Sequence, residues 1–159
     1  LPRFQPHPQL ETLRKKAIPW GRKELTAPWT LPDAAETAWE ILLEIPAQQQ
    51  TGGLLLQVGN CFALELTLVS RTLHAYVKDT GEQTMQDCGT LQLVPGAPVR
   101  LQVFLDRCSA EIFADGKCLS VNVFDTAPLR PVSLIPQGGT LPLQLLQVWQ
   151  LQHVMEPQT

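Results

Sequence analysis

The sequence predicts an all-β protein, a two-sheet antiparallel β-sandwich of jelly-roll or concanavalin-like type, with an N-terminal arm. Apolar residues recur at every second position in several runs, and turn-forming residues separate those runs at intervals of roughly ten residues. No internal repeat of propeller-blade length is present. Of the 159 residues, 44% are hydrophobic and 17% charged, a composition typical of one folded domain with a sizeable core.

Residues 1–33 are predicted to form a connecting arm, and residues 34–159 the sandwich. The arm is rich in proline and contains Trp20 and Trp29. After Pro8, four apolar residues keep helical spacing, which are Leu10, Leu13, Ala17 and Ile18. We therefore expect one short amphipathic helix in the arm. Its apolar stripe needs a surface to lie on, either the sandwich itself or a further domain.

From Thr37 onwards the pattern is that of strands with one buried face. Trp39, Ile41 and Leu43 alternate with less uniformly apolar neighbours, so this strand should bury Trp39. The loop at 48–53 and a turn at 59–60 then separate further alternating runs. The first part of the sandwich is predicted to contain strands at 39–45, 54–58, 62–68, 73–77 and 91–93.

The stretch from residue 98 to 124 is predicted to form a three-stranded antiparallel meander. Asp115-Gly116 suits a type I′ turn, and as a two-residue loop it places Ala114 opposite Lys117. One face of the hairpin then carries Ala110, Ile112, Leu119, Val121 and Val123, a dry surface that can pack on a second sheet. The other face carries Glu111, Phe113, Cys118, Ser120, Asn122 and Phe124. Segments 132–135 and 141–151 supply the last strands.

The central motif carries a resemblance to a known family. Residues 106–116 read Asp-Arg-Cys-Ser-Ala-Glu-Ile-Phe-Ala-Asp-Gly. This run resembles the Asp-x-Ser-Ser-x-Glu-[Ile/Val]-Phe-x-Asn-x-Gly signature in the C-terminal β-sandwich of glycoside hydrolase family 32. Cys108 replaces the usual serine, and the turn is shortened. Segment 8–14 resembles the link between that family's two domains, with leucine and glutamate in swapped order, and 148–151 resembles its closing strand.

The resemblance implies an accessory role in a fructan- or sucrose-cleaving glycoside hydrolase of β-fructofuranosidase type. Family 32 contains invertases, levanases and sucrose-6-phosphate hydrolases. Their sandwich packs on a five-bladed catalytic propeller of the same polypeptide, and in some members it helps dimers to form. The expected partners are therefore that propeller and a second copy of the chain. The resemblance implies no cofactor.

The chain lacks the family's catalytic motifs. Glycoside hydrolysis needs two carboxylates about 5 to 10 Å apart across a sugar. In family 32 the nucleophile lies in an Asn-Asp-Pro motif and the acid in Glu-Cys, while a third carboxylate, in Arg-Asp-Pro, stabilises the transition state. None of the six aspartates here precedes a proline, and none of the nine glutamates precedes a cysteine. Asp106 with Glu111 is the best remaining pair, but a turn-capping role for Asp106 is favoured. We therefore expect no catalysis by this chain alone.

Five residues are candidates for an interface rather than a reactive centre. Phe113 and Phe124 share a face with Glu111, which is too apolar for a solvent face and too polar for a core. Trp20 and Trp29 in the arm are the other two candidates. The alternative function is a carbohydrate-binding module, in which Trp20, Trp29, Trp149 or Tyr76 would stack on sugar rings.

Charge and cysteine content exclude several other classes. The net charge is −3, and only Arg14-Lys15-Lys16 forms a basic run, so we expect no nucleic-acid partner. The apolar runs are too short to cross a bilayer, so no membrane partner is expected either. Four widely spaced cysteines and three scattered histidines argue against a metal site. Free thiols in a reducing compartment are the favoured interpretation, which predicts a cytoplasmic location.

Overall fold

The structure is a computed structural model that describes residues 14–20, 23–32, 38–59, 61–78, 85–106, 109–122 and 131–151. All regular structure within these ranges is β-strand. The strands are β1 (Arg14–Ile18), β2 (Glu24–Leu25), β3 (Trp29–Thr30), β4 (Ala38–Ile45), β5 (Gly53–Val58), β6 (Phe62–Thr67), β7 (Thr72–Lys78), β8 (Met85–Gln92), β9 (Val99–Leu105), β10 (Ser109–Ala114), β11 (Lys117–Asn122), β12 (Val132–Gln137), β13 (Leu141–Pro142) and β14 (Leu145–Leu151).

Two six-stranded antiparallel sheets build the sandwich. The first sheet has the strand order β1-β14-β4-β9-β10-β11, and the second has the order β3-β12-β5-β6-β7-β8. A short pair, β2 with β13, lies beside them. The prediction of an all-β, two-sheet antiparallel fold is confirmed.

The core consists of the side chains that alternate towards the space between the sheets. Ile41 and Val103 of the first sheet and Leu56 and Leu134 of the second are completely buried in one hydrophobic cluster. Trp39 belongs to the same cluster with 5% of its surface exposed, as its strand pattern predicted. Period-two alternation therefore identified the interior face of the central strands correctly.

The central hairpin has the predicted register. Ala114 pairs with Lys117, and Ala110 with Val121. The two loop residues, Asp115 and Gly116, have φ angles of 52° and 71°. Two consecutive positive φ angles are what a type I′ turn requires, so the Asp-Gly dipeptide accounts for this turn.

The predicted helix in the arm is wrong over its described part. Arg14–Ile18 is a strand that pairs antiparallel with β14 at one edge of the first sheet. Only Ile18 is buried there, so the apolar spacing did not mark a helical face. Ile18 precedes a proline, a position that disfavours the helical region and favours extended backbone. Leu10 and Leu13 lie outside the described residues.

The arm also contributes β2 and β3 to the fold. β3 pairs with β12, and the Thr30 and Ser133 hydroxyl oxygens lie 2.8 Å apart across that pair. Residues 14–20 and 23–32 are thus integrated into the sandwich through main-chain pairing. The division of the chain at residue 33 stays a prediction.

Gly53 on β5 lies too close to the backbone of β6 to carry a side chain, and substitution tests this steric constraint. A Cβ atom at Gly53 would overlap the carbonyl oxygen of Leu66 on β6, whereas one at Gly96 would meet nothing within 4 Å. We expect Gly53→Ala to lower the free energy of unfolding by about 3 kcal/mol through overpacking. Gly96→Ala should cost only about 1 kcal/mol, for its positive φ. Urea unfolding of both variants measures the difference, and equal losses would refute the steric explanation.

Candidate functional site

Strand β4 is buried on both of its faces, although only one of them faces the other sheet. Trp39, Ile41 and Leu43 face the interior, so Glu40 and Leu42 point to the outer face of the first sheet, the side turned away from the second sheet. Yet Glu40 has none of its surface exposed and Leu42 only 5%. Burial on both sides is typical of strands that are covered by a layer on each face. Side chains of neighbouring strands provide this cover.

A buried ion pair lies at the centre of the outer face. The Nε and Nη2 atoms of Arg14 donate to the two carboxylate oxygens of Glu40, each at 2.7 Å. Gln102 on β9 donates from Nε2 to Oε2 of the same carboxylate at 2.9 Å. The Arg14 guanidinium carbon lies 3.7 Å from the ring centroid of Trp149. This bidentate geometry, with a third donor and an aromatic face, satisfies a carboxylate that water cannot reach.

An apolar cluster adjoins this ion pair. Phe104 and Phe113 meet edge to face, with ring centroids 6.0 Å apart and an interplanar angle of 87°. Ala38, Leu151 and Trp149 belong to the same cluster. Phe104 is 8% exposed, whereas Phe113 and Trp149 are only half-buried. The outer face therefore presents aromatic surface around a buried charge pair, which is uncommon on a sheet that faces water only.

The predicted interface residues divide between two places. Phe113 lies in the outer-face cluster, and Glu111 is exposed beside it, opposite Phe104 of β9. Trp20 and Trp29 lie elsewhere, packed against the main core with ring centroids 4.7 Å apart. Phe124 lies outside the described residues. An interface role for all five stays a prediction.

Sequence reasoning missed the residues that give the outer face its character. In the sequence, Arg14 is recognisable only as part of a basic run, and Glu40 only as a polar neighbour of Trp39 and Ile41. The available signal was a single carboxylate within an otherwise apolar run, Ala-Trp-Glu-Ile-Leu-Leu, at 38–43. A charge in such a run needs a partner, and it predicts a buried ion pair without identifying the cation.

A hydrogen-bonded polar cluster lies on the outer face of the second sheet. The Tyr76 hydroxyl lies 2.7 Å from Nδ1 of His74, and Nε2 of His74 lies 2.8 Å from Oδ1 of Asp87. The Tyr76 contact can be a hydrogen bond in either direction, whereas Nε2 of His74 is buried and has no hydrogen-bond partner of suitable geometry, so its approach to Asp87 is a close polar contact only. The Gly89 N–H also donates to Oδ1 of Asp87 at 2.8 Å. A bulge in β8 positions this group, because Asp87 pairs with Tyr76 while Gly89 pairs with Ala75.

The electrostatics of this cluster do not favour catalysis. The contact with His74 and the hydrogen bond from the Gly89 N–H hold the pKa of Asp87 below its usual value. Burial raises the pKa of Tyr76, and the charges of Glu65 and Asp87 raise it further. Tyr76 thus stays a neutral hydroxyl and Asp87 a carboxylate at neutral pH. These polar contacts connect β7 to β8.

Neither a candidate metal-binding group nor a membrane-spanning helix is found in the described part of the chain. No group of three or more His, Cys, Asp or Glu side chains within it could hold a metal ion. The same residues include no helix that is long and apolar enough to span a membrane.

The described residues form a β-sandwich domain with half-buried aromatic side chains and a buried ion pair on one outer face. A family model described as Glycosyl hydrolases family 32 C terminal matches residues 9–150. The chain therefore belongs to this family, as the sequence motif indicated. In the family, this domain is the C-terminal part of a larger glycosidase and is not itself the catalytic domain.

Solved structures of family 32 enzymes share the fold. An exo-inulinase from Aspergillus awamori is similar with a TM-score of 0.68 and 13% identity, over 95% of this chain and 32% of the enzyme. Sucrose-6-phosphate hydrolase from Lactobacillus gasseri is similar with a TM-score of 0.65 and 12% identity, over 96% of this chain and 31% of the enzyme. A β-fructofuranosidase from Bombyx mori is similar with a TM-score of 0.65 and 18% identity, over 95% of this chain and 30% of the enzyme. The chain thus spans about a third of these enzymes. No curated protein matches the sequence.

Removal of Arg14 tests the importance of the buried ion pair. Arg14→Ala removes the cation from the fully buried Glu40 carboxylate and leaves it the neutral amide donor of Gln102, so we expect a loss of about 3 kcal/mol in the free energy of unfolding. Arg100→Ala is the matched control, because the Arg100–Glu44 pair spans 3.1 Å with side chains 57% and 26% exposed. It should cost less than about 1 kcal/mol.

A double variant separates charge burial from loss of packing in the same experiment. Arg14→Met with Glu40→Leu removes both charges and keeps much of the side-chain volume, so it should recover most of the stability lost in Arg14→Ala. Chemical denaturation measures all three proteins. Equal losses for Arg14→Ala and Arg100→Ala would contradict the assignment of a buried pair.

The His74–Asp87 contact predicts a pH dependence. Because the pKa of Asp87 in the folded protein lies below its usual value of 3.8, its stabilising contribution is complete above about pH 4 and is lost as the pH falls through the folded pKa. Carboxyl-carbon NMR titration measures this pKa directly. In His74→Ala it should rise but stay below 3.8, since the Gly89 N–H bond remains. An unchanged pKa in that variant would show that His74 does not hold the carboxylate.

Proposed function

We propose that this chain is a non-catalytic accessory domain of a β-fructofuranosidase-type glycoside hydrolase, which cleaves sucrose or fructans. In this proposal it packs against the five-bladed catalytic propeller of the same polypeptide and stabilises it. Membership of the family's C-terminal domain over residues 9–150 supports the accessory role. The similar solved enzymes are named for inulin, sucrose 6-phosphate and β-fructofuranoside cleavage, which supports the substrate class.

The absence of the family's catalytic motifs from the sequence supports a non-catalytic role. No aspartate precedes proline and no glutamate precedes cysteine. In the polar cluster around His74, the described carboxylate within hydrogen-bond distance of the imidazole is that of Asp87. A retaining or inverting glycosidase instead needs two carboxylates facing a sugar from opposite sides.

The observation that carries the packing role is the outer face of the first sheet. Phe113 and Trp149 are half-buried there without any layer above them in the described chain, while Glu40 beneath is fully buried. Aromatic side chains of this kind are enriched in interfaces, where their remaining exposed area becomes buried on contact. We propose the catalytic domain as the occupant of this face. A second copy of the chain is the alternative that the experiments below distinguish.

The coding sequence that precedes Leu1 provides the first test. It is expected to encode a propeller domain with Asn-Asp-Pro, Arg-Asp-Pro and Glu-Cys motifs in that order. The 159-residue chain on its own is expected to release no fructose from sucrose or inulin. An upstream reading frame without these motifs, or turnover by the isolated chain, would overturn the proposal.

Phe113→Ser tests the packing surface in the full-length polypeptide. The isolated domain should lose only about 1 kcal/mol, the value of one aromatic pair, and should stay folded. In the full-length enzyme, the same change should lower the melting temperature of the catalytic domain and expose the interdomain region to limited proteolysis. Thr90→Ser, at an exposed position of β8 on the opposite sheet, is the control and should change neither.

The oligomeric state of the isolated chain completes this experiment. If light scattering gives a monomer at micromolar concentration and the Phe113→Ser effect appears in the full-length enzyme, the catalytic domain is the occupant. A dimer that Phe113→Ser dissociates would assign the face to a second copy instead.

A further inference from the structure

An open groove lies along β14 where the edge strand β1 stops. β4 pairs with β14 along its whole length as far as Leu145, but the pairing of β1 ends where Ile18 meets Val148. Beyond that point, no described strand lies beside residues 145–147 on the β1 side. The result is a groove of about 470 Å³, which lies within the range of small-ligand sites.

Two tryptophans line this groove and both are held in place. Trp20 contacts Trp29 with ring centroids 4.7 Å apart. Trp149 has the Arg14 guanidinium 3.7 Å from its ring centroid, and Arg14 is itself fixed by Glu40. Both indoles are half-buried, and the Arg14 guanidinium covers one face of Trp149, so a ligand would meet the part of each indole that stays exposed. Indole rings fixed in this way lose little conformational entropy when a flat apolar surface packs on them.

The remaining polar lining is neutral or positively charged. Lys23, Gln144 and Gln147 are exposed at the groove, and none of the described residues that line it is a carboxylate. Backbone hydrogen bonds fix the far wall, from Leu143 N–H to the Lys23 carbonyl at 2.9 Å and from Gln144 N–H to the Glu44 carbonyl at 2.8 Å. Amide side chains offer a donor and an acceptor together, which suits hydroxyl groups. Without paired carboxylates, the groove can bind a sugar but cannot hydrolyse it.

We infer that the groove is a binding subsite for a short, uncharged oligosaccharide, with Trp20 and Trp149 contacting the sugar rings and Gln144, Gln147 and Lys23 binding hydroxyls. Its volume accommodates about two or three sugar units. The identity of the sugar as a fructan rests on the proposed function, whereas the groove rests on the geometry of this chain. In an enzyme that cleaves fructans, such a subsite holds the polymer while a different domain cleaves it.

NMR titration of the 159-residue chain with an inulin-type tetrasaccharide tests this inference. The indole N–H signals of Trp20 and Trp149 should shift saturably, with a dissociation constant on the order of 1 mM, while the signal of core-buried Trp39 stays fixed. Gln147→Ala and Lys23→Ala should each weaken binding roughly fivefold, through the loss of a hydrogen bond. Gln50→Ala, an exposed glutamine outside the groove, is the matched control and should leave binding unchanged.

Each outcome decides one point. No saturable shift up to about 10 mM tetrasaccharide, or equal weakening by Gln50→Ala, overturns the subsite. An equal response to cellotetraose overturns the fructan assignment. Phe113 does not line the groove, so its effect on the full-length enzyme is independent of sugar binding. Failure of the subsite and failure of the accessory function can therefore be told apart.

Discussion

A strand in a β-sandwich points alternate side chains to two sides, and only one of those sides can face the other sheet. Strand β4 meets this constraint in a way that shapes the rest of the domain. Its interior residues join the main core, and its outward residues are buried as well, including the carboxylate of Glu40. An isolated buried carboxylate is costly, so the fold must supply a cation and further donors at that position.

The cation comes from the edge of the sheet. Arg14 lies on β1, two strands away from β4 in the order β1-β14-β4, and its side chain reaches across Trp149 to Glu40. A helix at residues 14–18 would place the arm outside the sheet and would remove the pairing that positions Arg14. The extended conformation of the arm and the burial of Glu40 therefore depend on each other. This is why local helical spacing was overridden by strand pairing and the ion pair.

The fold class was predictable because its signals are local. Alternation in β4, β6 and β9 identifies buried faces, and Asp115-Gly116 fixes the register of a hairpin within two residues. The outer face depends on contacts between residues 26 and 62 positions apart in sequence, Arg14 with Glu40 and Gln102 with Glu40. Contacts between such distant residues produce no periodic pattern in a single sequence, so they cannot be predicted from it. β8 was underpredicted for another reason: its sequence, Met-Gln-Asp-Cys-Gly-Thr-Leu-Gln, combines an edge position with a bulge at Gly89 and has no regular alternation.

The two outer faces of the sandwich differ in the polarity of the surface that they expose to water. On the second sheet, His74 contacts the Tyr76 hydroxyl and lies close to Asp87, which accepts a hydrogen bond from the Gly89 N–H, so this outer face presents a polar array. On the first sheet, Arg14 and Gln102 satisfy the Glu40 carboxylate, but part of the apolar surface of Phe113 and Trp149 is exposed to water. Burying that area gains free energy, whereas covering the His74 array would have to replace its hydration. The outer face of the first sheet is therefore the favoured side for contact with another surface. Trp149 belongs to this face and also lines the groove. The inferred sugar subsite thus lies at the margin of the proposed contact.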